Sequence, residues 1–463
     1  MPIDEQDFYT ACDPTLALDT SVELHRKYHI DFSPVREEGV MNDIMNKIKN
    51  NKNRSTHQLF TGQVGCGKST ELYRLADLLQ RDGFHVVYLN STIELEMEDV
   101  EITDILLLIA KHIQLSLLKA KITVQSQGGG YFNRLMNRTK ELLANSWDYL
   151  NRDIESGKME VPGIGTFSMA DNDLAFSILG LGKMSLKIKE KDKGKSTEIR
   201  SKLKNFLEPE VKEIVDAINE ELIEPALAIL KNNDKQGLVV IVDGLDKMHD
   251  TERYGQFMQH EYLFINKADY FTSLRTHIVY TIPYSLTASA NASQLNQKYG
   301  NFPETLPMIP LYDHKGTIIE IGLQLMRQMV LARAMPYEDE QTRLSRVSEV
   351  FDSVHTLDEY CKLSGGHVRN LLMLITESIE SSYHLPLPYD ALDKIVKKWR
   401  RNMSRSINQS DWDLLKEVIN SKDISSHEKY KSLIHNLYVF EYYYEGEALY
   451  DVNPVLKGAR KLQ

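Results

Sequence analysis

Four short stretches of the chain are apolar at consecutive positions rather than alternate ones: Val86–Leu89, Leu238–Val242, His277–Ile282 and Met308–Leu311. Strands of a parallel sheet covered on both faces read this way. A fifth apolar stretch, His57–Phe60, runs straight into a glycine-rich segment, Thr61–Thr70. After it, Leu72, Leu75, Ala76 and Leu79 recur at i, i+3, i+4 and i+7, which predicts a helix over Glu71–Leu79. Asp82-Gly83 is a turn signal. The order strand, glycine loop, helix, turn, strand is the opening of a parallel α/β sheet.

Elsewhere the pattern is helical or mixed. Val40–Ile48 reads as a helix, and Ile102–Leu118 as a mostly buried one interrupted by Asp104, Lys111, His112 and Gln114. Between about 121 and 233 the chain is less regular, and an insertion is expected there. It would hold a helix over Arg134–Leu150, a strand of a hairpin over Met184–Ile188 and a long helical stretch over Thr197–Leu230. Helices dominate from Ile319 to Arg401. Helical Trp412–Ile419 and Tyr430–His435 then lead to two β-rich runs around Glu445-Gly446-Glu447, a hairpin signal. The expected division is an N-terminal helical segment (1–50), an α/β core (51–315), a helical lid (316–404) and a winged-helix-like unit (405–463).

Composition narrows the class. With 463 residues, 42% hydrophobic and 26% charged, fibrous and disordered chains are excluded, and several domains are expected. The net charge of −11 excludes a surface basic enough to attract nucleic acid or anionic lipid everywhere. The winged-helix-like segment has 8 basic and 9 acidic residues, so DNA remains a possible but disfavoured partner. Lys394–Arg401 and Lys183–Lys195 are basic stretches that read as solvated faces. Cys12, Cys66 and Cys361 are too far apart for a disulfide framework or zinc spacing, which fits a reducing cytosol. No signal peptide and no run of 18 apolar residues is seen, so a cytoplasmic location without membrane contact is expected.

The chemistry concentrates in Gly62-Gln63-Val64-Gly65-Cys66-Gly67-Lys68-Ser69-Thr70. Backbone N–H groups of such a loop wrap phosphates, aided by the positive end of the helix that follows. Lys68 is placed to reach the β- and γ-phosphates of ATP, and the Ser69 hydroxyl to coordinate Mg²⁺. Asp243, closing the most uninterrupted aliphatic strand, is the expected acid facing that ion. Asp246, three residues on, is a candidate general base for the attacking water. Thr281, on the strand expected beside Asp243, is a candidate sensor of the terminal phosphate. Ser364-Gly365-Gly366-His367-Val368-Arg369 opens a helix, and Arg369 in its first turn is a candidate nucleotide contact. Arg253 and Arg275 are candidate arginine fingers that read better as surface charges.

Assembled, these residues resemble the P-loop ATPases of the AAA+ and STAND groupings, NACHT- and KAP-like and origin-recognition-like. Gly62–Thr70 matches Walker A, Leu238–Asp246 Walker B, Thr281 sensor 1 and Gly365–Arg369 sensor 2. Gly244 stands where typical AAA+ proteins have the catalytic glutamate. The 175-residue separation of Lys68 from Asp243 exceeds that of compact members, hence the inferred insertion. The resemblance implies an ATP-binding and ATP-hydrolysing switch that forms homo-oligomers and regulates a separately encoded effector or sensor protein. By analogy alone, antiphage defence fits. The alternatives are a DNA-associated ATPase and a nucleotide-binding scaffold without turnover.

Overall fold

A computed structural model describes residues 3–36, 39–124, 130–143, 158–161, 165–168, 177–178, 181, 193–249, 251–253, 257–289, 291–382 and 384–462. Its centre is a five-stranded, all-parallel sheet: β1 (His57–Thr61), β2 (His85–Asn90), β3 (Leu238–Asp243), β4 (His277–Thr281) and β5 (Glu304–Thr305). The spatial order is β2-β3-β4-β1-β5, with Val87 beside Val240, Ile241 beside Val279, and Leu59 beside Tyr280. Consecutive apolar residues alternate between two separate cores. Leu238, Val240 and Val242 face one, and Val239 and Ile241 face the other. That double burial is why these strands read as unbroken apolar runs.

The first core packs against helix Ile102–Lys119 and the insertion helices, including Val211–Ala217. The second packs against helices Val40–Asn50 and Lys68–Arg81. This is an α/β P-loop NTPase fold, its loop following a strand inside the sheet and its acid at the end of a strand two places away. The loops after β1, β3 and β4 converge at the carboxyl edge, where ligands bind in open parallel sheets.

The fifth strand differs from the expectation. Met308–Leu311 is buried but not a strand, and the pairing residues are Glu304 and Thr305. Pro303, Pro307 and Pro310 explain this, because a proline has no N–H for a ladder. In the insertion, Met184–Ile188 and the end of the expected Arg134–Leu150 helix lie outside the described residues. The described part has a helix over Tyr131–Leu142 and a hairpin pairing Lys158–Val161 with Gly165–Ser168. The long helical stretch is interrupted by a tight turn at Glu208–Glu210, around Pro209.

Helices Glu320–Ala334, Val354–Ser364, Val368–Ser382 and Tyr389–Arg405 share a third core. Phe8, Cys12 and Phe32 of the N-terminal segment join it. Helices Gln409–Ser421 and His427–His435 and the antiparallel pair β6 (Val439–Tyr444) and β7 (Glu447–Val452) surround a fourth. Glu445 and Gly446 both have positive φ, 55° and 83°, as a two-residue hairpin turn matched to strand twist requires. Strand β6 has two apolar faces. Val439 enters the fourth core, while Phe440 and Tyr442 enter the core beneath the glycine loop. The hairpin is thereby wedged between its own helices and the loop that precedes Lys68.

Candidate functional site

Lys68 opens helix Lys68–Arg81 and is almost fully buried. Its Nζ donates to the carbonyls of Gly62 (2.8 Å) and Gln63 (3.2 Å) and pairs with Asp246 Oδ2 at 3.0 Å. Burial alone would lower the lysine pKa. Asp246, with smaller help from Cys66 and Asp243, more than offsets it, so the ammonium is held charged. The structure therefore brings Lys68, Asp246 and Asp243 together at the carboxyl edge of the sheet.

Asp243 is 3% exposed. Its Oδ1 accepts from the Gly244 N–H (2.8 Å) and its Oδ2 from the Tyr88 hydroxyl (2.6 Å). Tyr88, from β2, stacks on Tyr73 of the loop helix with ring centroids 4.1 Å apart. These two tyrosines fix the carboxylate in place, and nothing in the motif pattern singles them out. The Ser69 hydroxyl is half-buried and makes no hydrogen bond to described residues. A hydroxyl and a carboxylate are hard oxygen donors, and this donor set suits Mg²⁺. Among the described residues no group of three or more His, Cys, Asp or Glu could hold a metal ion.

Three further candidate residues have partners within the protein. The Thr281 hydroxyl donates to Val242 O (3.2 Å) and accepts from Leu245 N (3.0 Å), so it braces the turn after Asp243. Thr70 accepts from Leu18 N at 3.2 Å, turning its side chain toward the N-terminal segment. Arg369 donates through Nε to Pro14 O (3.3 Å), and its backbone N–H to Gly65 O (3.3 Å). Arg369 is thus at the glycine loop, with its guanidinium tied to the N-terminal segment. Arg275 pairs with Glu224 on the surface, and the side chain of Arg253 lies outside the described residues.

Sequence reasoning missed how tightly the loop is held from outside. His367 is fully buried and its Nε2 contacts Val64 O at 2.7 Å, while Nδ1 accepts from Asn370 N. Both partners fit a neutral imidazole with the proton on Nε2, and burial pushes its pKa down to about 4. Gly65 has φ +84°, and a Cβ there would stand 2.5 Å from His367 Cε1. Gln63 reaches the other way. Its Nε2 donates to Val439 O (3.0 Å) and Ile434 O (3.4 Å), and its Oε1 accepts from Glu441 N (2.9 Å). Arg36, buried beneath Gly67, donates to Cys66 O and lies 3.8 Å from Glu71. Val64 is the exposed member of the loop. Together with Gly62, Gln63, Asp246, Tyr284 and Lys431 it borders a cavity of about 610 Å³.

Glu441 adds a titratable group to this contact. It is 5% exposed, accepts from Tyr450 OH (3.0 Å) and Tyr443 OH (3.2 Å), and its Oε2 is buried with no hydrogen-bond partner among the described residues. Burial pushes its carboxyl up to about 7. Between about pH 4.5 and 7 the folded protein therefore holds a proton that the unfolded chain has released. Stability falls as pH rises through that window and levels off above it. His367 slopes the opposite way, losing stability as pH falls from about 6.5 toward 4. The contribution of Glu441 is read as a difference. Glu441→Gln should gain on the order of 2 kcal/mol over the parent between pH 5 and 7.5 in urea unfolding. A pH-independent difference would contradict the burial argument.

No protein-family model and no curated protein matches the sequence. Similar solved structures include the ORC2 protein of Aeropyrum pernix in its ADPNP-ADP complexes, at 13% identity. That match covers 92% of this chain and 90% of that one, with a TM-score of 0.36. Cdc6p of Pyrobaculum aerophilum matches at 12% identity over 99% and 97% of the two chains, TM-score 0.36. The Walker-type ATPase paby2304 of Pyrococcus abyssi matches at 11% over 91% and 96%, TM-score 0.33. Likenesses at these scores are loose, and the fold assignment rests on the strand order and the glycine loop. Among the described residues no helix is long and apolar enough to cross a membrane.

Proposed function

We propose that the chain is an ATP-binding and ATP-hydrolysing molecular switch of the STAND/AAA+ kind, which self-associates and regulates a separate partner protein. One observation supports this above the rest. The loop suited to phosphates is also the surface on which the lid docks, through His367, and the C-terminal unit docks, through Gln63. Any rearrangement of the loop around a nucleotide is felt at both contacts.

The chemistry follows from the charges. A triphosphate competes with Asp246 for the Lys68 ammonium, and phosphate oxygens outbid a single carboxylate. Freed from Lys68, Asp246 becomes available to accept a proton from water, the role that Gly244 cannot fill. Ser69 and Asp243 would hold Mg²⁺, which neutralises charge building on the β- and γ-phosphate oxygens. Tyr88 keeps the Asp243 carboxylate oriented throughout.

The DNA alternative finds less support. In the basic stretch, Lys397 pairs with Asp393, Lys398 with Glu377, and Arg400 donates to Val455 O. Charges engaged this way are poorly placed to neutralise phosphates.

Hydrogen exchange with and without ATP and Mg²⁺ tests the switch. Saturating nucleotide should speed exchange in 434–444 several-fold, and Gln63→Ala should do so without nucleotide, since three hydrogen bonds are lost. Size analysis by light scattering should show larger species with ATP. Unchanged exchange and unchanged mass in saturating ATP would rule out the switch.

A further inference from the structure

A second cavity, of about 490 Å³, lies away from the glycine loop, between the N-terminal segment and the end of helix Glu320–Ala334. Arg333, in the last turn of that helix, lines it and is only 4% exposed. Its Nε donates to Ala11 O (3.1 Å) and its Nη1 to Met329 O (2.8 Å). Among the described residues the Nη2 group has no acceptor, and no carboxylate pairs with the guanidinium. The groups that oppose the cost of its burial are the Cys12 thiol and the Tyr28 hydroxyl, both neutral at pH 7. A buried guanidinium without an anion is costly, and the helix C-terminus offsets only part of that.

The rest of the lining sets what kind of anion fits. Asp7, on helix Glu5–Ala11, presents a carboxylate with no hydrogen bond or ion pair among the described residues. Leu24, Tyr28 and Tyr337 supply apolar and aromatic surface, and Tyr337 is 69% exposed. Four carboxylates line the cavity, Asp4, Asp7, Asp13 and Glu338, against two guanidinium groups, Arg333 and Arg346, so a dianionic phosphate would on balance be repelled. A carboxylate carrying an ammonium group a few bonds away satisfies both ends. The Nη2 group of Arg333, the one not engaged by Ala11 or Met329, takes the carboxylate, Asp7 takes the ammonium, and an apolar side chain covers the tyrosines. We infer that this cavity is a binding site for a small zwitterion, a free α-amino acid with an apolar or aromatic side chain.

The site has a route to the glycine loop. Ala11 and Asp13 border the bound position and run into Pro14, whose carbonyl holds Arg369. Binding itself does not depend on the nucleotide reading. The coupling through Pro14 rests on it, and is measured separately as a change in ATP affinity.

Calorimetric titration of the intact chain with L-phenylalanine, L-leucine, benzoate, phenethylamine and inorganic phosphate tests the site. One of the two amino acids should bind with a Kd below about 1 mM. Benzoate, which lacks the ammonium, and phenethylamine, which lacks the carboxylate, should bind about tenfold more weakly or worse. Asp7→Asn, at an exposed position, should keep the melting temperature and weaken the amino acid about tenfold. Arg333→Lys, which keeps the charge but loses the Nη2 donor, should weaken it further. Arg333 also holds two structural hydrogen bonds, so if that variant does not fold, Asp7→Asn decides. Absence of amino-acid binding, phosphate binding more tightly than either amino acid, or affinity unchanged by Asp7→Asn would each overturn the proposal.

Discussion

Lys68→Ala is expected to abolish ATP binding at millimolar nucleotide and to cost the nucleotide-free protein about 3–5 kcal/mol of stability. Both effects come from one pair. Lys68 and Asp246 meet at 3.0 Å with side chains 7% and 8% exposed, so removing the lysine strands a buried carboxylate. The double variant Lys68→Ala/Asp246→Ala should recover most of the stability and none of the binding. Urea unfolding and calorimetric titration of parent, single and double variants separate the two effects. Unchanged ATP affinity in Lys68→Ala would remove the phosphate role of the loop. Equal destabilisation of single and double variants would mean that the ion pair is not what Lys68 stabilises.

Gly366→Ala is expected to be at least as damaging, although no side chain is lost. Residue 366 has φ +74°, and a Cβ there would lie 1.8 Å from the carbonyl oxygen of Ile309. That neighbour is backbone of the buried segment leaving the sheet, so no rotamer change relieves the overlap. A loss above about 4 kcal/mol is expected, with the helices between residues 313 and 405 becoming protease-sensitive. Gly316→Ala is the control. Its φ is +79° but nothing lies within 4 Å of its Cβ, so it should cost about 1–2 kcal/mol from backbone strain alone. Similar melting temperatures for the two variants would sink the close-approach argument.

What the sequence made legible is local. The run Leu238–Val242 could be read as a doubly covered strand because burial on both faces leaves no polar position in it. The glycine loop and Lys68 were legible because phosphate-binding chemistry is packed into a few contiguous residues. Contacts made to backbone leave no such trace. Gln63 holds Val439 O and Glu441 N across most of the chain length, and any residue at 439, or any but proline at 441, would offer the same groups. His367 was visible only as part of a glycine-rich turn, yet its ring contacts Val64 O and stacks on Phe440 at 5.5 Å. Tyr88 sits in an ordinary strand pattern, and only the pairing of β2 with β3 brings its hydroxyl to Asp243. Met308–Leu311 misled for a different reason: apolar composition predicts burial, while the flanking prolines decide whether the backbone can pair.

The strand order has a consequence for synthesis on the ribosome. Among the described residues strand β2 hydrogen-bonds only to β3 within the sheet, and everything between Asn90 and Leu238 is translated before that partner exists. At ~5–20 residues per second the delay is on the order of 10 s. For that time each nascent polypeptide carries a strand, Val86 to Leu89, whose backbone edge has no partner and which neighbouring polysomes or chaperones can capture. Expression yield should therefore respond to chaperone supply more strongly than the stability of the finished protein would suggest.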